Sequence, residues 1–284
     1  MDPLPKAAEP LLAEAIARIG TDRFAPALWD FLHALARPDS LVILAFRDAG
    51  PPAALYRRFE DQRVFAGLER AYLAGAYRLD PFYEMHLNRA GEGAYRLRDV
   101  APDAFHRSRY FIEYYEGTTL IDEIAFLVWP SPGVSLNLSL GRDGASGRTY
   151  SGVEIATCRR LAPVVAAMTR MHWRDLGAGA GAVEDTPALL AAAARDRLGI
   201  ALSPRQAEVA LLILRGHSSM SIGLRLGLSP QTIKVFRKQL YRRCAISSQA
   251  ELFARMLPLL NDGGQNPGAS PLGRGSTGID PVAR

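Results

Sequence analysis

Residues 202–253 read LSPRQAEVALLILRGHSSMSIGLRLGLSPQTIKVFRKQLYRRCAISSQAELF, and the turn signals in this stretch decide its fold. Ser203 begins a Ser-Pro-x-Gln pattern, which predicts a capped helix start with proline in the first turn and a capping box. Gly216 is suited to end that helix, and Gly227 to form a tight turn after a second, shorter helix. The serine-proline start recurs at 229–230. The stretch therefore predicts four short helices, the middle two joined by a tight glycine turn.

The third of these helices, over 230–244, is the predicted DNA-reading element. Its apolar residues Ile233, Phe236 and Leu240 turn towards the body of the domain, and a mainly polar face remains. A helix that enters the major groove needs hydrogen-bond donors for guanine edges and phosphates, and a small apolar group for a thymine methyl. Hydroxyls and backbone amides at its N-terminus are placed to touch phosphate. The candidate DNA-contacting residues are Ser229, Gln231, Thr232, Lys234, Val235, Arg237, Lys238 and Arg242.

Charge is distributed unevenly along the chain. Residues 202–260 hold nine basic and two acidic residues and carry a net +7, whereas the whole chain carries +5. The remaining sequence is therefore slightly acidic. The chain has three lysines, and two of them, Lys234 and Lys238, lie one turn apart on the predicted reading face. A small basic module on a near-neutral body is typical of a nucleic-acid-binding protein.

The C-terminal segment resembles the LuxR/FixJ-type DNA-binding domain along its full length. The matching landmarks are Leu202-Ser203-Pro204-Arg205, Glu208-Val209, Gly216, Ile222, Leu226, Ser229, Thr232-Ile233-Lys234-Val235 and Ile246-Ser247-Ser248. The resemblance implies a four-helix domain in which Thr232 and Lys234 contact the DNA backbone or base edges. It implies that Val235 and Lys238 face bases, and that the last helix takes part in dimerisation. The sequence departs from the family pattern at Ser221, Gly223 and Phe236, which bear on target preference and on the stability of the first helix.

Breaks in composition divide the chain into five parts. Residues 1–10 form a Pro/Ala-rich tail, and 174–187, RDLGAGAGAVEDTP, read as a Gly/Ala-rich linker. Residues 261–284 contain Gly, Pro, Ser and Asn with few apolar residues, and we expect them to be disordered. Between these parts we predict a ligand-sensing domain over 11–173 and the helix-turn-helix domain over 188–260.

The N-terminal domain mixes helical and strand-like patterns. We predict helices over 11–36, 62–76, 102–116 and 151–173, a central strand at 41–46, and a hairpin of strands 121–129 and 134–140. Helices around a mainly antiparallel sheet favour a GAF- or PAS-like sensor. The predicted fold class is thus α+β, with an all-α four-helix domain at the C-terminal end.

The segment Tyr77-Arg78-Leu79-Asp80-Pro81 is the first of two candidate ligand-binding patches. It resembles the Asp-Pro step of the autoinducer-binding domain of LuxR regulators. The resemblance implies that Asp80 accepts a hydrogen bond from the amide of an acyl-homoserine lactone, and that Tyr95 forms an aromatic wall. The tryptophan and tyrosine that the family carries before this aspartate are replaced here by Gly67 and Ala71.

The second patch combines aromatic and acidic residues. Phe105, Tyr110, Phe111, Tyr114 and Tyr115 crowd one predicted helix, with Glu113 and Glu116 between them and Asp122 and Glu123 on the strand that follows. Aromatic faces beside carboxylates could cage a cationic amine. In the alternative interpretation most of these aromatics pack the core and the acids face water. Over both patches, the candidate ligand-binding residues are Tyr77, Asp80, Phe82, Tyr83, Tyr95, Phe105, Tyr110, Tyr114, Asp122 and Glu123.

Other classes of protein find no support in the sequence. No metal-ligand spacing, phosphate-binding glycine loop or nucleophile elbow is present, so no metal, cofactor or catalysis is predicted. No stretch approaches the ~18 apolar residues of a membrane helix, and the N-terminus lacks a signal-peptide layout, so we expect a cytoplasmic protein. The sequence predicts a homodimeric, ligand-responsive transcription regulator that works with DNA and RNA polymerase. In the alternative, the N-terminal domain is a protein-interaction or dimerisation module without a small-molecule ligand.

Overall fold

The computed structural model describes residues 4–116, 118–144, 146–177 and 182–261. Its elements are α1 (Ala8–Ala17), α2 (Phe24–Ala36), β1 (Ser40–Arg47), β2 (Ala53–Phe59), α3 (Pro81–Leu87), β3 (Gly93–Arg96), α4 (Leu97–Val100), α5 (Arg109–Phe111), β4 (Leu120–Ser131), β5 (Val134–Asp143), α6 (Gly152–His172), α7 (Thr186–Leu198), α8 (Pro204–Arg215), α9 (Ser219–Leu226), α10 (Pro230–Arg243) and α11 (Gln249–Asn261). None of these helices is both long enough and apolar enough to cross a membrane.

Five antiparallel strands form a single sheet in the order β2-β1-β5-β4-β3. One face of the sheet packs against α1, α2 and α6. The other face, called here the inner face, is covered by a layer of short helices from 62–116, which in turn contacts the C-terminal helices. Every residue of β5 is buried, because β5 is central and both of its faces are covered. The predicted α+β class with an all-α C-terminal part is confirmed, as is the hairpin of β4 and β5.

Two of the helices predicted in the N-terminal half are broken. The predicted helix over 11–36 is two helices, because the chain turns between them at Gly20, whose φ is +84°. The predicted helix over 62–76 is wrong, and Gly67 and Gly75 flank its central turn. It is replaced by a 3₁₀ turn at Gln62–Phe65, a π-helix at Leu68–Tyr72 and a second 3₁₀ turn at Ala76–Leu79. Packing against the sheet overrides the local helical periodicity here.

The predicted helix over 102–116 is also interrupted. Ser108 is extended, with ψ 151°, and its side chain caps α5, so the preceding 3₁₀ turn and α5 have different axes. A π-helix at Ile112–Glu116 follows directly. The long helix α6 agrees with the prediction, and Ser151 caps it through a capping box.

Two helices begin inside segments that were predicted to be a tail or a linker. Helix α1 begins at Ala8, inside the predicted tail 1–10. Helix α7, which was not predicted from the sequence, begins at Thr186, inside the predicted linker. Residues 262–284, which make up nearly all of the predicted C-terminal tail, lie outside the described residues.

The capping predicted for the C-terminal helices is confirmed. Ser203 Oγ accepts a hydrogen bond from the Gln206 amide at 3.2 Å, and Gln206 Oε1 accepts one from the Ser203 amide at 3.1 Å. Gly216 and Gly227 end α8 and α9 in the left-handed conformation, at φ +95° and +65°. Ser229 then caps α10. The turn residues therefore fix the helix-turn-helix locally, before tertiary contacts are considered.

The N-terminal domain and the C-terminal helices share one hydrophobic core. The buried cluster runs from Phe46 on β1 through Tyr110 to Val209 on α8 and Phe253 on α11. One close approach is at Gly216, where an added Cβ would lie 2.9 Å from the Cα of Phe105. The Gly216 carbonyl also accepts a hydrogen bond from the Ala104 amide at 3.1 Å. Each part thus completes the core of the other.

Replacing Gly216 by alanine should therefore destabilise the full chain strongly. The left-handed backbone alone costs a non-glycine residue about 1–2 kcal/mol, and the clash with Phe105 adds to it. Gly227→Ala is the matched control, because Gly227 is also left-handed but an added Cβ there meets nothing within 4 Å. Urea unfolding should show a clearly lower midpoint for Gly216→Ala than for Gly227→Ala. Equal midpoints would mean that the two parts are not packed together at this point.

Candidate functional site

The exposed face of α10 carries the residues predicted to read DNA. Ile233 and Leu240 are fully buried, which turns the opposite face to solvent. Six of the eight candidates are exposed: Ser229, Gln231, Lys234, Val235, Lys238 and Arg242. Val235 is 48% exposed, and an apolar group on an otherwise polar face is suited to meet a thymine methyl.

The other two candidates are partly occupied within the chain. Arg237 is half-buried and donates a hydrogen bond to the Tyr241 hydroxyl at 3.3 Å. The Thr232 hydroxyl lies 2.8 Å from the Ser229 hydroxyl at the start of the helix. The ion pairs described for this domain are made by arginines, and Lys234 and Lys238 have no part in them. Both lysines are therefore available for phosphates or base edges.

A buried pair of carboxyl groups lies between the inner face of the sheet and the layer of short helices. Asp80 and Glu123 are 4% and 7% exposed. Asp80 caps α3 through the Phe82 amide at 2.7 Å, and its other oxygen accepts a hydrogen bond from the Tyr72 hydroxyl, also at 2.7 Å. Glu123 projects from β4 and is hydrogen-bonded by Ser139 and Tyr115. The helical layer and the sheet thus contribute one carboxyl each.

Burial raises the pKa of both carboxyls. For Asp80 the hydrogen bonds from Tyr72 and from the first amides of α3 oppose this effect, and the pKa rises to about 6. For Glu123 burial is the largest cause and the charge of Asp80 the next, and together they raise the pKa to about 8. The hydroxyl groups of Ser139 and Tyr115 lower it by less. At neutral pH, therefore, Asp80 is ionised and Glu123 is protonated, and the pair carries one negative charge.

Polar residues occupy alternate positions of β5 on the same face as Glu123. They are Ser135, Asn137 and Ser139, all buried. Asn137 Nδ2 donates to Ser139 Oγ at 3.0 Å, which joins this stripe to the carboxyl pair. Among the described residues, the Oδ1 of Asn137 and the hydroxyl of Tyr110 have no hydrogen-bond partner. Because an unsatisfied buried polar atom costs about 1–3 kcal/mol, such a surface is suited to a polar ligand.

The structure brings together most of the predicted ligand-binding residues. Tyr110 lies beside Asp80 and Glu123, and Tyr114 stacks on it with ring centroids 5.0 Å apart. Around them pack Phe82, Phe105, Tyr77 and Tyr83. Tyr77 and Tyr83 form an edge-to-face pair 4.8 Å apart at the side nearest the C-terminal helices. The aromatic rings pack the core, as the alternative interpretation predicts, but Glu123 is buried among them and does not face water.

Two predicted residues lie elsewhere. Asp122 projects from β4 to the side opposite Glu123, where Arg96 binds both of its oxygens at 2.9 and 2.5 Å. Tyr95 donates its hydroxyl to the carbonyl of Gly91 near the surface, at 2.8 Å. Asp122 thus belongs to a structural ion pair. Nowhere in the described ranges are three His, Cys, Asp or Glu side chains grouped to hold a metal ion.

Three residues of this site, Tyr72, Asn137 and Ser139, were not predicted from the sequence. Asn137 and Ser139 could have been predicted from the sequence, because polar residues alternate with leucines in this strand. Such alternation places polar groups on one buried face. Tyr72 could not be predicted, because the π-helical turn that aims it at Asp80 cannot be recognised from spacing.

Glu84, one turn after Asp80 on α3, connects the N-terminal domain to the helix-turn-helix domain. Its carboxylate binds Arg225 and lies 3.6 Å from Arg215 Nη1 and 3.9 Å from His217 Nε2. Burial would raise the pKa of Glu84, but the nearby imidazole of His217 and the charges of the two arginines outweigh it. The pKa falls to about 2, so the carboxylate is ionised at all ordinary pH values.

A second buried ion pair also connects the N-terminal domain to the C-terminal helices, and we call the contacts of Glu84 and Arg78 together the junction. Arg78 is 1% exposed and donates to both oxygens of Glu184, each at 2.6 Å. It also donates to the carbonyl of Leu260 at the end of α11, at 2.8 Å. The segment before α7 and the end of α11 are therefore held to the residues that precede α3.

Glu84→Gln should loosen this junction. Removing one partner of a buried ion cluster leaves the arginines uncompensated, at a cost of about 3 kcal/mol in the free energy of unfolding. Because the pKa of Glu84 is lowered on folding, the deficit should be constant above pH 4.5 and shrink as the pH falls towards 2. Urea unfolding across this pH range measures it. Glu69→Gln is the control, since Glu69 forms an exposed pair with Arg57 and should change little; equal effects of the two variants would contradict the role of Glu84.

Comparison with known proteins identifies relatives of both parts. Residues 201–256 match the family of bacterial regulatory proteins named luxR, or GerE. The chain is 29% identical over 181 residues to an HTH-type transcriptional regulator in the exeN 3′ region of Aeromonas salmonicida, an alignment covering 61% of this chain and 91% of that protein. The structure of the VqsR LBD domain from Pseudomonas aeruginosa matches with a TM-score of 0.50 and 25% identity, covering 60% of this chain and 99% of that one. SdiA of Escherichia coli matches with a TM-score of 0.40 and 15% identity, covering 88% and 96%.

Proposed function

We propose that this chain, whose residues 201–256 form a DNA-binding domain of the LuxR family of bacterial regulatory proteins, controls transcription by placing α10 in the major groove of specific DNA sites. The exposed, cationic face of α10 is the observation that carries this proposal. Gln231, Lys234, Val235 and Lys238 read base edges or nearby phosphates, and Ser229, Thr232, Arg237 and Arg242 bind the backbone on either side.

The N-terminal domain is proposed to bind a small molecule between the inner face of the sheet and the layer of short helices. The buried polar stripe of β5 and the unpaired hydroxyl of Tyr110 support a polar ligand there. The likeness to the LBD domain of VqsR supports a ligand-binding role for this part of the fold. The ligand contacts Asp80, Glu123 and Tyr110, and the surrounding wall is formed by Tyr77, Phe82, Tyr83, Phe105 and Tyr114.

The active form is proposed to be a cytoplasmic homodimer. Helix-turn-helix proteins bind two-fold-related half-sites about one helical turn apart, so two copies of α10 read one operator. RNA polymerase is the proposed protein partner of the DNA-bound dimer. Ligand binding acts by changing the population of dimer arrangements that match the half-site spacing.

Lys234→Glu and Lys238→Glu should each weaken DNA binding about tenfold or more, because each reverses a charge on the reading face. The measurement is fluorescence anisotropy on a duplex selected from random sequence by the unaltered protein. The salt dependence should also flatten, by about one unit of the log–log slope for each phosphate that the variant no longer neutralises.

Arg160→Glu is the matched control for these lysine variants. Arg160 is exposed on α6, far along the chain from the helix-turn-helix, and its reversal changes the net charge of the protein by the same amount. DNA affinity should change little in this variant. If Arg160→Glu weakened binding as much as the lysine variants, only overall charge would matter and α10 would not be the reading element.

A further inference from the structure

We propose that the ligand of the N-terminal domain is a small organic ammonium ion, whose nitrogen binds between Asp80 and Glu123 and releases the proton of Glu123. This inference rests on the proposed function of the domain as a ligand sensor, and it names the chemical class of the ligand.

Hydrogen-bond acceptors are in excess around the carboxyl pair. Two carboxyls contribute four oxygens, and Asn137 adds an Oδ1 that is buried and unpartnered. The hydroxyl of Tyr110 is likewise unpartnered, and Tyr110 is fully buried beside both carboxyls. An ammonium group has three donors and no acceptor, so it complements a surface of this kind. A neutral amide has fewer donors and brings an acceptor of its own.

Asp80 and Glu123 have no arginine partner among the described residues, unlike several other acids that the fold shields from solvent. Glu84, Asp122 and Glu184 are each paired with arginine, respectively Arg215 and Arg225, Arg96, and Arg78. No basic side chain of the described residues forms such a pair with Asp80 or Glu123, and none is among the groups that shift their pKa values. A buried carboxylate needs a compensating charge. At this site the proton on Glu123 leaves the pair with one negative charge instead of two, and a ligand cation can replace that proton.

An aromatic wall surrounds the carboxyl pair. Tyr72, Tyr110 and Tyr115 all lie against it, and electron-rich ring faces attract organic cations. Tyr72 and Tyr115 belong to the two π-helices described in the structure. Such turns are rare and are frequent at functional sites. The wall therefore favours an organic ammonium ion over a metal ion.

A surface cleft lies beside Tyr115. This side chain hydrogen-bonds Glu123 and also lines the cleft, which has a volume of about 240 Å³. His106, Phe111 and Leu120 line the same cleft. Tyr115 is therefore the side chain that the cleft and the carboxyl pair share.

Proton release follows from the charge state of the pair. The groups on the same side as Glu123 that affect it are Asp80, Ser139, Tyr72, Tyr110 and Tyr115, and Asp122 acts on it through its charge from the opposite face. Burial raises the pKa of all three tyrosines, so they stay neutral, and the charge of Asp122 is matched by Arg96. A cation between the carboxyls favours the ionised form of Glu123. Since the pKa of Glu123 is about 8 without ligand, binding should release close to one proton at pH 7.

The test is isothermal titration calorimetry of the full chain with ethanolamine, putrescine and tyramine. The full chain is needed because the N-terminal domain shares its core with the C-terminal helices. Matched neutral compounds are ethylene glycol, butane-1,4-diol and 4-ethylphenol. At least one amine should bind while its neutral partner does not. Its affinity should rise about tenfold from pH 6 to pH 7, and heats in buffers of different ionisation enthalpy should report about one proton released.

Three variants locate the site. Glu123→Gln keeps the shape of the protonated side chain, so it should fold normally, lose amine binding and show no proton release. Tyr110→Phe removes only an unpartnered hydroxyl and should weaken amine binding several-fold. Glu113→Gln, a change of the same kind on a nearby exposed carboxylate, should bind as the unaltered protein does.

Each other result overturns the proposal. Equal binding by Glu123→Gln, or binding without proton release, would place the amine elsewhere. Binding of a neutral or anionic compound in preference to every amine would exclude the ammonium class and leave the ligand-sensing function standing. No binding by any compound, with DNA affinity intact in the same preparation, would reject the amine and favour a protein partner for the N-terminal domain.

Discussion

The rest of the structure depends on the position of α3, which lies between the interior of the N-terminal domain and the helix-turn-helix domain. Its cap, Asp80, faces the polar interior of the N-terminal domain, and Glu84, one turn later, faces the arginines of the helix-turn-helix domain. A helix of seven residues cannot bend appreciably between these points. The candidate ligand site is therefore linked to α8 and α9 by a single short element.

Two buried glutamates, Glu84 on α3 and Glu123 on β4, have pKa values shifted in opposite directions. Glu84 is surrounded by Arg215, Arg225 and His217, and its pKa falls to about 2. Glu123 is equally buried but lies beside another acid, and its pKa rises to about 8. A fixed charge suits a permanent junction, because its strength does not vary near neutral pH. A carboxyl that is protonated at neutral pH suits a site that accepts a cation and carries one negative charge, not two, without it.

The sequence predicts the structure well wherever local chemistry decides it. Ser203, Gly216 and Ser229 fix the ends of helices through their own hydrogen bonds or dihedral angles, so α8 to α10 follow from spacing alone. The layer at 62–116 could not be predicted in the same way, because its turns follow the surface of the sheet. Asp122 and Glu123 illustrate the limit within the site. Adjacent residues on a strand project to opposite faces, and only the register of β4 shows which one faces the ligand.

The junction also constrains how DNA binding can be controlled. Helix α11 buries Leu252, Phe253 and Met256 within the chain, and its end is held to Arg78. Yet Lys234, Val235 and the rest of the reading face of α10 are exposed in this arrangement. The N-terminal domain therefore leaves the reading face of α10 uncovered in this arrangement. What it fixes is the position of α8 and α11 relative to the sheet. In the proposed dimer that position would set the separation of the two recognition helices, and a ligand that moved α3 would change this separation while the reading face stayed free.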